Sequence, residues 1–229
     1  MNILITGASK GIGFQTAWRL AQQEGHRVLA ISRDEAGLQR LKALAPDQVV
    51  ILPFDLTKPD WQPLLSTLGD WNGLDVLINN AGLLINKPFL DLKASDWLEV
   101  FNSNFFSVIE LIKRLLPYLE KSAKAHIVNI GSMGGYQGSS KFSGLSAYSA
   151  SKAALANLTE CLAEELKDQK IIVNCLALGA VQTEMLETAF PGYQAPLRSE
   201  TMAEWVAWFC VNGQQFFNGK ILPVSVSNP

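Results

Sequence analysis

The sequence predicts an α/β protein built on a doubly wound parallel sheet of about seven strands, with helices on both faces. Three observations predict it. Short, almost continuously apolar runs alternate with longer segments of helical periodicity from one end of the chain to the other, a rhythm that gives strand–helix–strand units. The apolar runs lack the in–out alternation of a half-solvated strand, so they suit strands covered on both faces. No Pro/Gly/Ser-rich linker and no internal repeat divides the 229 residues, so one domain over 1–229 is expected.

The elements follow in order. "NILIT" (2–6) is the first strand, and "ITGASKGIGFQTA" turns it into a first helix through Gly7, Gly11 and Gly13. Further strands are expected at "RVLAI" (27–31), "VVILPF" (49–54), "LDVLIN" (74–79), "HIVNIG" (126–131), "IIVNCLA" (171–177) and "KILPV" (220–224). "QTAWRLAQQ" and "SASKAALANLTECLAEEL" carry helical spacing. Two stretches break the rhythm: the Gly/Ser-rich segment 132–146, and 183–200 with its two prolines, Met185, Leu186, Phe190 and Tyr193. Both follow strands. In doubly wound folds ligands lie beyond the carboxyl ends of the strands, so both stretches are expected to wall a site.

Composition narrows the function. Hydrophobic residues make up 48%, charged residues 17%, and the net charge is −2, which suits a well-packed globule and argues against a broad face for nucleic acid. Cys161, Cys175 and Cys210 are far apart, and only His26 and His126 could join them as ligands; no metal site is expected, and the thiols read as reduced and mostly buried. A strand that begins at residue 2 leaves no room for a signal peptide. No apolar run approaches the ~18 residues of a membrane span. A soluble, cytoplasmic protein is expected.

The glycine turn, with Ser9, Lys10 and Ile12 between its glycines, can bring backbone close to a pyrophosphate at a helix N-terminus. An acid at the end of the second strand would bond the ribose 2′-hydroxyl of NAD. Ser32 and Arg33 stand there instead, and Asp34 reads as helix-starting chemistry. Arg33 can fork onto a 2′-phosphate with Lys10 nearby, so the cofactor expected is NADP(H). Further on, "YSASK" places Tyr148 and Lys152 four residues apart, neighbours on one helix face. An isolated pair of this kind is as a rule a packed ring beside a solvated charge.

Taken in order, these residues resemble the short-chain dehydrogenase/reductase family, in its compact single-domain branch with a Rossmann fold. "TGASKGIG" resembles its glycine loop, "DLT" (55–57) its adenine-side motif, "NNAG" (79–82) the segment bracing the sheet, and "YSASK" its tyrosine–lysine motif; "NGKILPV" (218–224) is similar to its last strand. The resemblance implies that Tyr148 is the proton donor, that Lys152 favours its phenolate and holds the nicotinamide ribose, and that Ser132 orients the substrate carbonyl. It implies that Asn104 holds a water linking Lys152 to solvent. Asp55 and Leu56 are expected near adenine, Asn80, Ala81 and Gly82 along the ribose, and Gly179, Val181 and Thr183 at the carboxamide.

Three departures bear on this. The Ser132–Tyr148 interval is longer than the family's usual one, so Ser139, Ser140 and Ser143 are rival carbonyl binders. The family's "PG" after the sixth strand is Leu178–Gly179, and the acidic-glycine ending is "SVSNP". The resemblance implies an NADPH-dependent carbonyl reductase, with a 3-oxoacyl thioester among its candidate substrates. An acidic carrier finds Ala123 and Gln169 where reductases of carrier substrates present arginines, with Glu164 and Glu165 adding negative charge. Small ketones, quinones, sugars and pterins remain open, and Tyr136, Phe142, Met185, Leu186, Phe190 and Tyr193 point to an apolar pocket. The alternative is a catalytically weak NADPH-binding sensor of the same fold. A homodimer or homotetramer, pairing through helices at 104–120 and 147–168, is the family's precedent.

Overall fold

A computed structural model describes residues 1–226; Ser227–Pro229 of the "SVSNP" ending lie outside the described residues. In chain order the elements are β1 (Asn2–Thr6), α1 (Gly11–Ala21), β2 (Arg27–Ser32), α2 (Glu35–Leu44), β3 (Val49–Pro53), α3 (Trp61–Gly69), β4 (Val76–Asn79), α4 (Ala94–Phe101), α5 (Ser107–Leu119), β5 (His126–Ser132), α6 (Ser146–Glu165), β6 (Ile172–Leu178), β7 (Val181–Gln182), α7 (Glu184–Ala189), β8 (Leu197–Arg198), α8 (Ser199–Asn212) and β9 (Ile221–Val224). Seven strands form one sheet in the order β3-β2-β1-β4-β5-β6-β9. Every neighbouring pair is parallel.

The apolar runs explain the layering. Successive side chains of a strand point to opposite faces, and both faces are buried here. Ile3 and Ile5 join Val28, Ala30, Leu20 of α1, Leu38 of α2 and Phe209 of α8 in one core. Leu4 and Leu29 face the other way, onto Leu64 of α3, Leu111 of α5 and Leu155 of α6. Strand order reverses between β1 and β4, which opens a crevice at their carboxyl ends. The site lies there.

Local chemistry sets several boundaries. Asp34 and Asp60 cap α2 and α3 by accepting from Gly37 N and Gln62 N, relieving amides that the first turn leaves unpaired. The strand expected from residue 74 begins at Val76, because Leu74 N donates to Tyr118 O instead. The helix expected at 104–120 is continuous with α4 through a π-helical turn over Asn102–Phe106. Inside 183–200 lies α7, and β7 pairs with β8 in a small parallel ladder. Gln182 Oε1 accepts from Ala195 N at 2.8 Å and steadies that ladder. No hydrophobic pattern announces either feature.

Candidate active site

Gly7 and Gly11 hold φ of 66° and 57°, the left-handed region that glycine enters without steric cost. At Gly13 the reason is space: a Cβ would stand 2.4 Å from Gly7 O and 2.3 Å from Asn80 Nδ2. The turn after β4 braces this loop. Asn80 Nδ2 donates to Thr6 O at 2.9 Å and Gly7 O at 3.1 Å, while the amides of Asn80 and Ala81 donate to Thr6 Oγ1 at 3.0 and 2.8 Å. No side chain caps α1, and its first turn holds no acid. Its leading amides and positive dipole end are therefore open to an anion.

A cleft of about 610 Å³ opens above the loop. At its β2 end Ser32 Oγ donates to Ser9 Oγ at 2.9 Å. Arg33 lines the cleft, whereas Asp34 does not and is spent on Gly37 N at 3.1 Å. Asp55 Oδ1 accepts from Thr57 N at 2.9 Å and Thr57 Oγ1 at 2.7 Å. Burial acts to raise the Asp55 pKa, but these hydrogen bonds and the charges of Arg33 and Lys58 outweigh it and hold the carboxyl below its ordinary value.

At the other end, Ser132 closes β5. Its Oγ accepts from Gly134 N at 3.1 Å, and its side chain is hydrogen-bonded to Tyr148. α6 carries Tyr148 and Lys152 on one face, with Nζ 5.9 Å from the centre of the tyrosine ring. Lys152 is 3% exposed, and its Nζ donates to Ile130 O at 2.7 Å. Burial lowers its pKa to about 8, with Cys175 acting in the opposite direction. Tyr148 is reached from the cleft but lies deep in it, so burial raises its pKa while the Ser132 bond opposes the rise.

Asn104 sits on the π turn and is fully buried. Its Oδ1 accepts from Leu83 N at 2.7 Å; its Nδ2 donates to Leu83 O at 2.9 Å and Ser151 Oγ at 2.9 Å. A Cβ on Gly82 would lie 3.4 Å from Asn104 Oδ1 and 3.5 Å from Lys152 Nζ, so both groups border the same glycine. A π turn bulges the helix locally, and here it lets Asn104 tie α6 to the chain after β4.

Of the catalytic and cofactor-binding residues expected from the sequence, all except Asn104 line the cleft. Ser139, Ser140, Ser143 and Tyr136 do not line it; Ser139 Oγ donates to Met133 O and Tyr136 O. Thr183 caps α7, accepting from Leu186 N at 3.3 Å, and its methyl faces Gly11. At the Leu178–Gly179 turn, Gly179 N donates to Val224 O at 2.9 Å, which anchors the backbone where the family's proline would stiffen it. Sequence reasoning missed Leu84, which also lines the cleft, and did not single out Met133 and Glu184 within the two stretches it expected to wall the site; a Cβ on Gly11 would stand 3.8 Å from Glu184 Oε2. Nothing in their spacing marks them. Of the thiols, Cys175 and Cys210 are buried and Cys161 is exposed. Among the described residues no helix is long and apolar enough to cross a membrane.

Comparison with known proteins gives concordant results. The family model for short chain dehydrogenases matches residues 1–194. The 3-oxoacyl-(acyl-carrier-protein) reductase of Vibrio cholerae is 30% identical over 184 residues, covering 80% of this chain and 74% of the relative. The 3-ketoacyl-(acyl-carrier-protein) reductase of Brucella melitensis, crystallised with NADH, superposes with a TM-score of 0.87 at 26% identity, over 97% of this chain and 96% of that one. A short chain dehydrogenase of Shigella flexneri, complexed with NADP, superposes with a TM-score of 0.85 at 28% identity, over 97% and 95%.

Proposed function

Since the chain belongs to the short chain dehydrogenase family, we propose that this oxidoreductase is an NADPH-dependent carbonyl reductase. The observation that carries the reading is one cleft holding the open N-terminus of α1, Arg33, and the Ser132–Tyr148–Lys152 group. The residues suit the cofactor. The uncapped amides of α1 would take the pyrophosphate, and Lys10, Ser32 and Arg33 the 2′-phosphate. Asp55 and Leu56 would flank adenine, Asn80, Ala81 and Gly82 the ribose, and Gly179, Val181 and Thr183 the carboxamide. Thr183 accepts from Leu186 N and so keeps its own proton free to donate.

NADPH, when bound, supplies hydride to the carbonyl carbon. The protein's part is proton transfer and positioning. Tyr148 gives its hydroxyl proton to the carbonyl oxygen, which becomes the alcohol. Ser132 donates to the same oxygen and orients it. The Lys152 ammonium stabilises the phenolate left behind, and Asn104 fixes α6 against the chain after β4. The related enzymes from Vibrio and Brucella are named for 3-oxoacyl substrates, which makes such thioesters one class to test.

The test is NADPH oxidation by purified protein across a carbonyl panel, with Tyr148→Phe alongside. Turnover that falls by about 10²–10⁴-fold in the variant, with NADPH binding retained, supports the assignment. A variant as active as the parent overturns it.

A further inference from the structure

Resting on the reductase reading above, we infer that the substrate is an uncharged, largely apolar ketone that enters the cleft as a free molecule, not on a carrier protein. Three segments meet at the mouth. Asn86 Nδ2 donates to Ala189 O at the end of α7 at 2.7 Å. The neighbouring Lys87 N donates to Gly144 O at 2.9 Å. The chain after β4, the loop between β5 and α6, and the α7 lid are thereby held together, and each contributes apolar side chains to the cleft: Leu84 from the first, Met133 and Phe142 from the second, Met185, Phe190 and Tyr193 from the third.

Three of these are unusually open for large apolar groups. Phe142, Met185 and Tyr193 are 51%, 38% and 48% exposed. A ligand with matching apolar surface would cover them and gain roughly 25 cal/mol for each Å² removed from water. A sugar would leave its hydroxyls without partners on such walls, at a cost for each one buried.

The charges exclude an anion. Among the lining residues the charged groups are Lys10, Arg33, Asp55, Lys152 and Glu184. Lys10, Arg33 and Asp55 belong to the β1–β3 end assigned above to the cofactor, Lys10 next to the Gly11 that borders Thr183 and Glu184, and Lys152 is held on Ile130 O. α7 brings Glu184 to the cleft and also carries Glu187, whose carboxylate accepts from Gly192 N and Gln182 Nε2. Of the rim cations, Lys87 pairs with Asp96 at 2.8 Å, and Lys141 donates to Tyr136 O at 2.5 Å and Ser139 Oγ at 2.8 Å. A substrate carboxylate or the acidic surface of a carrier would meet α7, which carries two acids and no cation, with Lys87 neutralised by Asp96 and Lys141 alone of that pair keeping its charge, and a buried unpaired charge is costly.

The experiment compares kcat/KM, with NADPH as reductant, for a neutral aryl alkyl ketone and the same ketone bearing a terminal carboxylate. A 3-oxoacyl thioester is run both as a small neutral thiol ester and loaded on acyl carrier protein. The neutral ketone is expected to exceed its carboxylate twin by about 100-fold, and the small thioester to exceed the carrier-loaded one. Met185→Lys, which places a cation on the lid, should shrink the ketone ratio at least tenfold. A carboxylate twin or carrier-loaded thioester used as well as its neutral counterpart overturns the inference while leaving the reductase reading intact, as does a ratio indifferent to Met185→Lys. Absence of turnover with every carbonyl in the panel overturns the reductase reading itself.

Discussion

The Lys152 ammonium donates to the carbonyl of Ile130 across 2.7 Å, so a charge from α6 is planted on β5 with 3% of its residue exposed. Burial makes that charge easier to lose and brings its pKa to about 8. The Tyr148 hydroxyl moves the opposite way, above its ordinary value, again through burial. The two ends of the proposed proton path therefore titrate in separate ranges.

That separation predicts a pH profile. Below pH 8 Lys152 is charged and Tyr148 is protonated, the forms that reduction needs. As pH rises through about 8 Lys152 loses its proton, while Tyr148 still holds its own. The kcat/KM for carbonyl reduction, which reports the free enzyme, is expected to be level to about pH 7.5 and to fall above it. Lys152→Met should be slower at pH 7 by roughly 100-fold and lack that limb. A limb that persists in the variant assigns it to another group.

Arg33 carries the choice of dinucleotide. It lines the cleft beside Ser32, and the one acid next to it in sequence, Asp34, is spent on capping α2. A charge-assisted pair with a 2′-phosphate contributes about 1.5–3 kcal/mol. Arg33→Ala should therefore raise the Kd for NADPH by roughly 10- to 100-fold and that for NADH by less than about threefold. Equal losses, measured by fluorescence titration of both, remove this role from Arg33.

Much of this arrangement was legible because its signals are local. β1, the glycine turn and α1 follow from an apolar run, three glycines and a helical period, and Asp34 reads as a cap from position alone. The lining of the cleft by Arg33, Tyr148 and Lys152 follows from motif order. Leu84 left no trace, and Met133 and Glu184 were marked only by the stretches they belong to, since a side chain that enters a cleft from a loop is placed by contacts distant in sequence. The π turn at Asn104 was hidden for the same reason: one extra residue per turn leaves the helical pattern of 94–119 unbroken to the eye. The expected effect of Lys152 on Tyr148 depended on a distance and a degree of burial, and neither is written in a four-residue spacing.

Asn86 is one such unsignalled residue. It is exposed and outside the cleft lining, yet its bond to Ala189 O pins the end of α7, and a Cβ on Gly144 would stand 1.9 Å from its Oδ1. Asn86→Ala removes the pin without touching the glycine loop. The expectation is a KM for the carbonyl substrate raised about three- to tenfold, the scale of one neutral hydrogen bond, with the Kd for NADPH unchanged. A kcat loss with KM unaltered would instead place Asn86 in the chemistry.

His126 sets an acid limit on stability that is separate from catalysis. Its ring is fully buried on β5, Nδ1 lies 2.9 Å from Cys210 O, and Nε2 lies 3.1 Å from Asn174 Nδ2. The carbonyl needs a donor and the amide an acceptor, so the neutral ring with its proton on Nδ1 satisfies both. A second proton would set Nε2–H against the Asn174 amide, which already donates to Phe217 O at 2.8 Å. Burial lowers the His126 pKa from 6.5 to about 4. The unfolded chain thus binds the proton more readily, and stability from this site is complete above pH 6.5 and lost as pH falls towards 4. The full loss is about 3 kcal/mol. Urea unfolding from pH 7 to 4.5 should show a slope approaching about 1.4 kcal/mol per pH unit from this group, absent in His126→Asn. Equal slopes in parent and variant would mean that His126 already carries its second proton in the folded chain or that it titrates alike in both states, and either would contradict the pairing with Asn174.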